Sequence, residues 1–192
     1  EAIAAATAGD TVKLIDDVAS SLTLPADITF NGNGKQINGS LKVVADVTFA
    51  GHTKATKLET GSNLVLTVDE GACLEVTGGE RSTLGYNNEF KFIGTLEDAK
   101  SADKTKIQPS LILPGGLSVT GGNDAVMSFT NAYVRIGSTS SKNSVANGTF
   151  TLNIENSIAE FTNQLTFAEP TSGKNPTFNL NVKNSVLTTP TK

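Results

Sequence analysis

Leu22-Thr23-Leu24-Pro25-Ala26-Asp27-Ile28-Thr29-Phe30 aligns without a gap on Leu41-Lys42-Val43-Val44-Ala45-Asp46-Val47-Thr48-Phe49, at an offset of 19 residues. In both stretches apolar and polar side chains alternate on either side of the same Ala-Asp corner. That is the pattern of two short strands with one wet face. Strands of a sandwich have no need to resemble one another. A two-strand unit that recurs at a set spacing points instead to a solenoid, in which each unit touches only its neighbours.

Working outward, a third copy is read in Leu64-Val65-Leu66-Thr67-Val68 with Cys73-Leu74-Glu75-Val76-Thr77-Gly78-Gly79. A fourth is read in Leu111-Ile112-Leu113-Pro114-Gly115-Gly116-Leu117-Ser118-Val119-Thr120-Gly121-Gly122. Toward the C-terminus, Ser128-Phe129-Thr130-Asn131-Ala132-Tyr133-Val134 matches Asn153-Ile154-Glu155-Asn156-Ser157-Ile158-Ala159 and Asn181-Val182-Lys183-Asn184-Ser185-Val186-Leu187, so that the asparagines step by 25 and then 28 residues. Asn tolerates the left-handed backbone conformation that a tight corner requires, so Asn131, Asn156 and Asn184 are assigned to equivalent corners. Stacked amides there would form a hydrogen-bonded ladder. The alternation places Leu24, Ile28, Phe30, Leu74, Val76, Leu111, Phe129, Ile158, Leu180, Val182 and Val186 among the inward-facing residues.

Composition agrees. The chain of 192 residues has 18 Gly, 6 Pro, no Trp and one Met, with 18% charged residues. Its abundant Thr and Asn suit strands and tight turns. One domain, 1–192, is expected. Residues 1–9 form a short Ala-rich N-terminal capping helix that Gly9-Asp10 stops. Residues 80–110 read as an irregular, charged insertion between coils. The expected class is therefore all-β, a right-handed single-stranded parallel β-helix with a short capping helix.

The net charge of −4 arises from 19 acidic and 15 basic side chains that are scattered, which disfavours nucleic acid and anionic membranes as partners. Only Arg81 and Arg135 could supply bidentate recognition of phosphate or carboxylate. Cys73 has no second Cys to pair with and reads as a small core side chain. No apolar run approaches the roughly 20 residues of a membrane-spanning helix. The chain begins at Glu1 without a signal-like segment, which reads as a trimmed mature protein or an excised domain. The last coil carries no evident polar cap, so a C-terminal partner domain or a homo-oligomer contact is expected.

The start Glu1 to Val18, with its Ala-Gly-Asp-Thr-Val-Lys-Leu, and the turn Phe30-Asn31-Gly32-Asn33-Gly34-Lys35-Gln36-Ile37 resemble the N-terminal cap and early turn of the pectin-lyase-like β-helix superfamily. The style of repeat also resembles adhesin-like surface proteins of gut Bacteroidetes. That resemblance implies an extracellular or bacterial cell-surface location. It also raises polysaccharide lyase and glycosidase chemistry, which needs clustered acids with Arg, Lys or His. Here Asp16-Asp17 reads as a turn, Asp27 and Asp46 fill repeated corners, and His52 in Ala50-Gly51-His52-Thr53 reads as a solvated turn residue.

No catalytic constellation, metal site or cofactor is read from the sequence. Loops on a rigid scaffold are where binding residues tend to lie, and Arg81, Tyr86, Asn87 and Asn88 are the candidate ligand contacts, with Tyr86 suited to stack on a sugar. The expected function is a noncatalytic adhesin-like module presenting loops to a glycan or extracellular protein. The alternatives are a polysaccharide-degrading enzyme of the same fold and an ice- or mineral-binding solenoid, the last requiring a flat two-dimensional array of outward Thr such as Thr23, Thr29, Thr48 and Thr67.

Overall fold

A computed structural model describes residues 2–93, 109–120, 124–142, 149–165 and 177–190. The capping helix is shorter than expected, α1 at Ala2–Ala5. It ends early because the Asp10 carboxylate takes the Thr7 N–H and hydroxyl at 2.8 and 3.0 Å, and Gly9 then turns the chain at φ 89°. Ile3 and Ala6 are partly buried against the core, so this short segment still covers the N-terminal end.

The remaining elements are strands in two sheets. The first sheet runs, in hydrogen-bonded order, through β1 (Thr11–Lys13), β3 (Ile28–Asn31), β5 (Val47–Ala50), β7 (Val65–Val68), β10 (Asn88–Phe92), β13 (Asp124–Thr130), β15 (Thr149–Glu155) and β17 (Thr177–Lys183). The second holds β2 (Leu22–Leu24), β4 (Gln36–Val43), β6 (His52–Thr60), β8 (Cys73–Val76), β9 (Ser82–Gly85), β11 (Ser110–Leu113), β12 (Leu117–Thr120), β14 (Tyr133–Lys142), β16 (Ile158–Leu165) and β18 (Val186–Thr188). All registered pairings, such as β3 with β5, β6 with β8 and β15 with β17, are parallel. A parallel pair needs a crossover between its members, and here strands of the second sheet supply the crossover for the first.

Register and repeat coincide at both ends of the chain. Leu22, Thr23 and Leu24 stand opposite Leu41, Lys42 and Val43, and Ile28, Thr29 and Phe30 opposite Val47, Thr48 and Phe49, so the 19-residue offset is a pairing in space. Near the C-terminus Phe129, Ile154 and Val182 share one line, and Val134, Ala159 and Leu187 another.

The middle copies are differently phased. Leu66 pairs with Val47, not with the Leu22–Leu41 line, while Leu111 pairs with Leu74 and Val119 with Leu84. Period-two alternation is the same in every strand, so the pattern alone could not say which strand of a repeat was which. For the same reason the region read as an insertion at 80–110 contains two regular strands, β9 and β10. Phe90 of β10 sits in line between Leu66 and Phe129. Residues 94–108 lie outside the described residues.

Strands β4 and β14 each break register once, between Ile37 and Ser40 and between Ile136 and Ser138. Glycine is required at both breaks. A Cβ on Gly39 would come 2.5 Å from Ser21 N, and one on Gly137 would come 1.9 Å from the Pro114 carbonyl oxygen, so only a residue without a side chain lets the backbones approach.

The core lies between the sheets, with Leu24, Phe30, Phe49, Leu66, Phe90 and Phe129 essentially inaccessible. Four assigned inward positions depart from expectation. Leu180, Val182 and Val186 are 37%, 42% and 57% exposed, since β17 and β18 end their sheets and no further strand covers them among the described residues. Ile158 is only half-buried, its neighbours Ser157 and Ala159 taking the interior instead.

The six non-glycine residues with positive φ among the described residues are all asparagines: Asn33, Asn63, Asn87, Asn131, Asn156 and Asn184. Asn131, Asn156 and Asn184 thus take the expected corner conformation. The stacking hydrogen bonds run beside them, the Ala132 N–H donating to Ser157 Oγ (3.0 Å) and the Ser157 N–H to Ser185 Oγ (2.9 Å). An amide ladder lies on the strands, from Asn181 to Asn153 (2.9 Å) and on to Ser128 (3.1 Å).

Candidate functional site: a covered row on the outer face of the second sheet

Along β8, β11 and β14, Leu74, Leu111 and Val134 point into the core, so the residues before them point the other way. Parallel register lines these up as His52, Cys73, Ser110 and Tyr133, one per strand. A second line two residues on holds Lys54, Glu75, Ile112, Arg135 and Glu160. Outward side chains would ordinarily be wet. Yet Cys73, Ser110 and Tyr133 are fully buried and Ile112 is 6% exposed, while Cys73, Ile112 and Tyr133 stand apart from the main core cluster. This part of the outer face is covered.

The polar groups of the row are tied to one another. His52 Nε2 lies 2.7 Å from Glu75 Oε2, and the Tyr133 hydroxyl donates to Glu160 Oε2 at 2.7 Å. His52 therefore opens β6 with a partner and is not the solvated turn residue its sequence context suggested. Burial pushes the Cys73 thiol up to about 11; the Ser110 hydroxyl opposes this and the Glu75 charge adds to it. Burial likewise raises Tyr133, helped by the hydrogen bond to Glu160 and its charge and opposed by Arg135. The thiol is thus protonated near neutrality and a poor nucleophile. Cys73 is buried as expected, but on the outer face rather than in the core. Among the described residues Ser110 Oγ is buried without a hydrogen-bond partner of good geometry, its register partner Cys73 offering only a weak donor.

The residues singled out from sequence occupy a different place, the segment around β9 and the corner into β10. Arg81 is exposed immediately before β9. Tyr86 is half-buried, packed against the core, and its carbonyl accepts from Asn63 N at 2.9 Å. Asn87 takes φ 57°, donates to Asn63 Oδ1 and accepts from Val126 N, both at 3.2 Å. Asn88 is 2% exposed, accepts from Leu64 N at 3.0 Å and donates to Thr60 Oγ1 and the Gly61 carbonyl at 2.6 and 2.8 Å. Tyr86, Asn87 and Asn88 hold the corner together. Of the four, Arg81 and Asn87 are exposed, Tyr86 is half-buried and Asn88 is buried. The covered row was missed because its members are separated by 21, 37 and 23 residues (52 to 73, 73 to 110, 110 to 133), with no common spacing to read.

Two further features bear on chemistry. Thr11, Thr29, Thr48 and Thr67 stand in one line across four successive strands of the first sheet. The adjoining line is Lys13, Asn31 and Ala50, so the threonine array is one residue wide. Among the described residues no group of three or more His, Cys, Asp or Glu is placed to hold a metal ion, and no helix is long and apolar enough to cross a membrane. Compared with family models, with curated proteins and with solved structures, the chain finds no match.

Proposed function

We propose that the two sheets are walls of one right-handed single-stranded parallel β-helix. We further propose that it is a noncatalytic module, secreted or on a bacterial cell surface, which presents loops to a glycan or extracellular protein. The parallel register supports the β-helix. The first legs of β4 and β6 pair onward to β8 and β11, while their second legs pair back to β2, giving three legs per repeat. Parallel crossovers of L-residues are right-handed in nearly all sheets because of strand twist.

The observation that carries the noncatalytic reading is the use made of the acids. Asp10 caps Thr7, Asp17 accepts from Gln36 N, and Asp46 accepts from Val65 N. Glu59, Glu155 and Glu160 are held by Lys42 and Lys57, by Lys183 and by Tyr133 respectively. Side chains spent on holding strands together are not poised to move protons on a substrate. A glycan array probed with the intact chain and with Arg81→Ala tests the binding half, with retained glycans and weakened signal in the variant as the expected result.

One observation favours the enzymatic alternative: the His52–Glu75 pair is partly exposed, at 33% and 20%, and is an acid–base unit in form. Incubation with pectins, alginate and host glycans separates the two readings. Release of unsaturated or reducing ends that disappears in Glu75→Gln would sink the noncatalytic reading.

A further inference from the structure

Asn-Gly occurs three times between Asn31 and Gly39, as Asn31-Gly32, Asn33-Gly34 and Asn38-Gly39, and again at 147–148, outside the described residues. In such a pair the glycine amide nitrogen can attack the asparagine side-chain carbonyl carbon, because glycine carries no Cβ to shield it. The three described pairs share this chemistry and differ in their surroundings. We infer that Asn38 is a self-modification site of the folded chain, converted through a five-membered succinimide to aspartate and isoaspartate.

Asn31 and Asn33 are held back from this reaction. Gly32 N donates to the buried Thr53 Oγ1 at 3.2 Å, and Gly34 N donates to the His52 carbonyl at 2.8 Å. Each attacking amide is thereby turned toward another acceptor and keeps its proton. The side chains are engaged as well: Asn31 Oδ1 accepts from Asn33 N at 2.8 Å, and Asn33 Nδ2 donates to the Leu14 carbonyl at 3.1 Å.

Asn38 is exposed, and its side-chain amide makes no hydrogen bond among the described residues. It lies in the register break of β4, where Asn38 and Gly39 together face the single residue Thr56, between the pairs Ile37–Ala55 and Ser40–Lys57. The backbone is anchored on either side, by Asn38 N to the Val18 carbonyl at 2.8 Å and by Ser40 N to Ser21 Oγ at 3.0 Å. A bulge leaves its extra residue out of the ladder, and the Gly39 amide is the one these two anchors do not use. The close approach to Ser21 admits only glycine at 39, so the fold itself retains the reactive pair.

In the reaction Gly39 N gives up its proton and bonds to Asn38 Cγ, the Cγ–Nδ2 bond breaks, and ammonia leaves. Water then opens the ring at either carbonyl. One water is consumed, one ammonia is released and nothing is oxidised or reduced. The product adds one negative charge to the net −4. Where the ring opens to isoaspartate, the backbone gains a carbon inside β4, beside the pairings of that strand with β2 and β6.

Peptide mapping by mass spectrometry tests the inference, on intact chain incubated at pH 8.5 and then digested in acid, with aspartate and isoaspartate forms resolved by reversed-phase separation. In the folded chain the acid forms at position 38 are expected to accumulate at least several times faster than those at 31 and 33, and in urea the three positions should react at comparable rates. Equal rates at the three positions in the folded chain would overturn the inference. So would an Asn38 that stays intact until urea unfolds the chain, or one that reacts more slowly than Asn31 or Asn33.

Discussion

Phe30 and Phe49 stand directly opposite one another on neighbouring parallel strands, their rings edge to face with centroids 6.5 Å apart. The contact joins the two residues that close the 19-residue repeat, so it ties the sequence pattern to a specific interior packing. Both rings are fully buried. Phe49→Ala is expected to cost about 3–5 kcal/mol, the usual range for removing a buried ring from a close-packed interior. Urea unfolding followed by circular dichroism measures it, and Thr48→Ala, on the half-exposed face of the same strand, should cost far less.

Asn88 is used at both ends of its amide, inside the structure. Asn88→Asp keeps the shape and the acceptor for Leu64 N but cannot donate to Thr60 and Gly61. A buried carboxylate facing a carbonyl should destabilise by at least about 2–3 kcal/mol near neutral pH. Asn87→Ala, which loses an exposed bond to Asn63, should cost less, in the same denaturant experiment.

Stability should fall on the alkaline side. The Cys73 thiol is raised from 9.0 to about 11 by burial, and Tyr133 is raised as well. The folded state therefore holds these protons more tightly than the unfolded state. Their contribution is whole below the unfolded values and is lost as pH climbs through them, from about 9 to about 11 for the thiol. Melting temperatures recorded from pH 8 to 11 should decline, and Cys73→Ala should flatten the first part of that decline by on the order of 2–3 kcal/mol.

The same burial predicts slow thiol chemistry. Cys73 should resist a disulfide-exchange reagent at pH 7.5 in the folded chain and react promptly once urea unfolds it. Equal rates in both states would contradict its placement beneath a cover on the outer face.

How much of this was legible in the sequence depends on whether spacing survived. From Leu22 to Phe49 nothing is inserted between repeats, so alignment and pairing coincide. The C-terminal repeats tolerate steps of 25 and 28 residues, yet Asn131, Asn156 and Asn184 mark the same corner each time and keep the alignment in phase. Between them the markers vanish. Leu64–Val68 and Ser82–Phe92 alternate like any other strand, and only backbone pairing shows which line each joins. The covered row of His52, Cys73, Ser110 and Tyr133 was illegible for a related reason. Its members come from four strands at irregular separations, and their burial depends on what lies over the outer face rather than on alternation. The Tyr86 ring, suited by type to stack on a sugar, is half-buried against the core, because a corner residue's exposure is set by how the corner folds back.

The 19-residue repeat is a register of neighbouring strands, and paired cysteines on the threonine line test it. Thr29 and Thr48 are opposed on adjacent strands, as are Thr48 and Thr67, whereas Thr29 and Thr67 are two strands apart, roughly 9–10 Å. Thr29→Cys with Thr48→Cys, and Thr48→Cys with Thr67→Cys, should each form an intramolecular disulfide on mild oxidation; Thr29→Cys with Thr67→Cys should not, since its Cα separation exceeds the reach of the bond. Crosslinking of the distant pair in preference to the two adjacent pairs would show that the repeat is not this register.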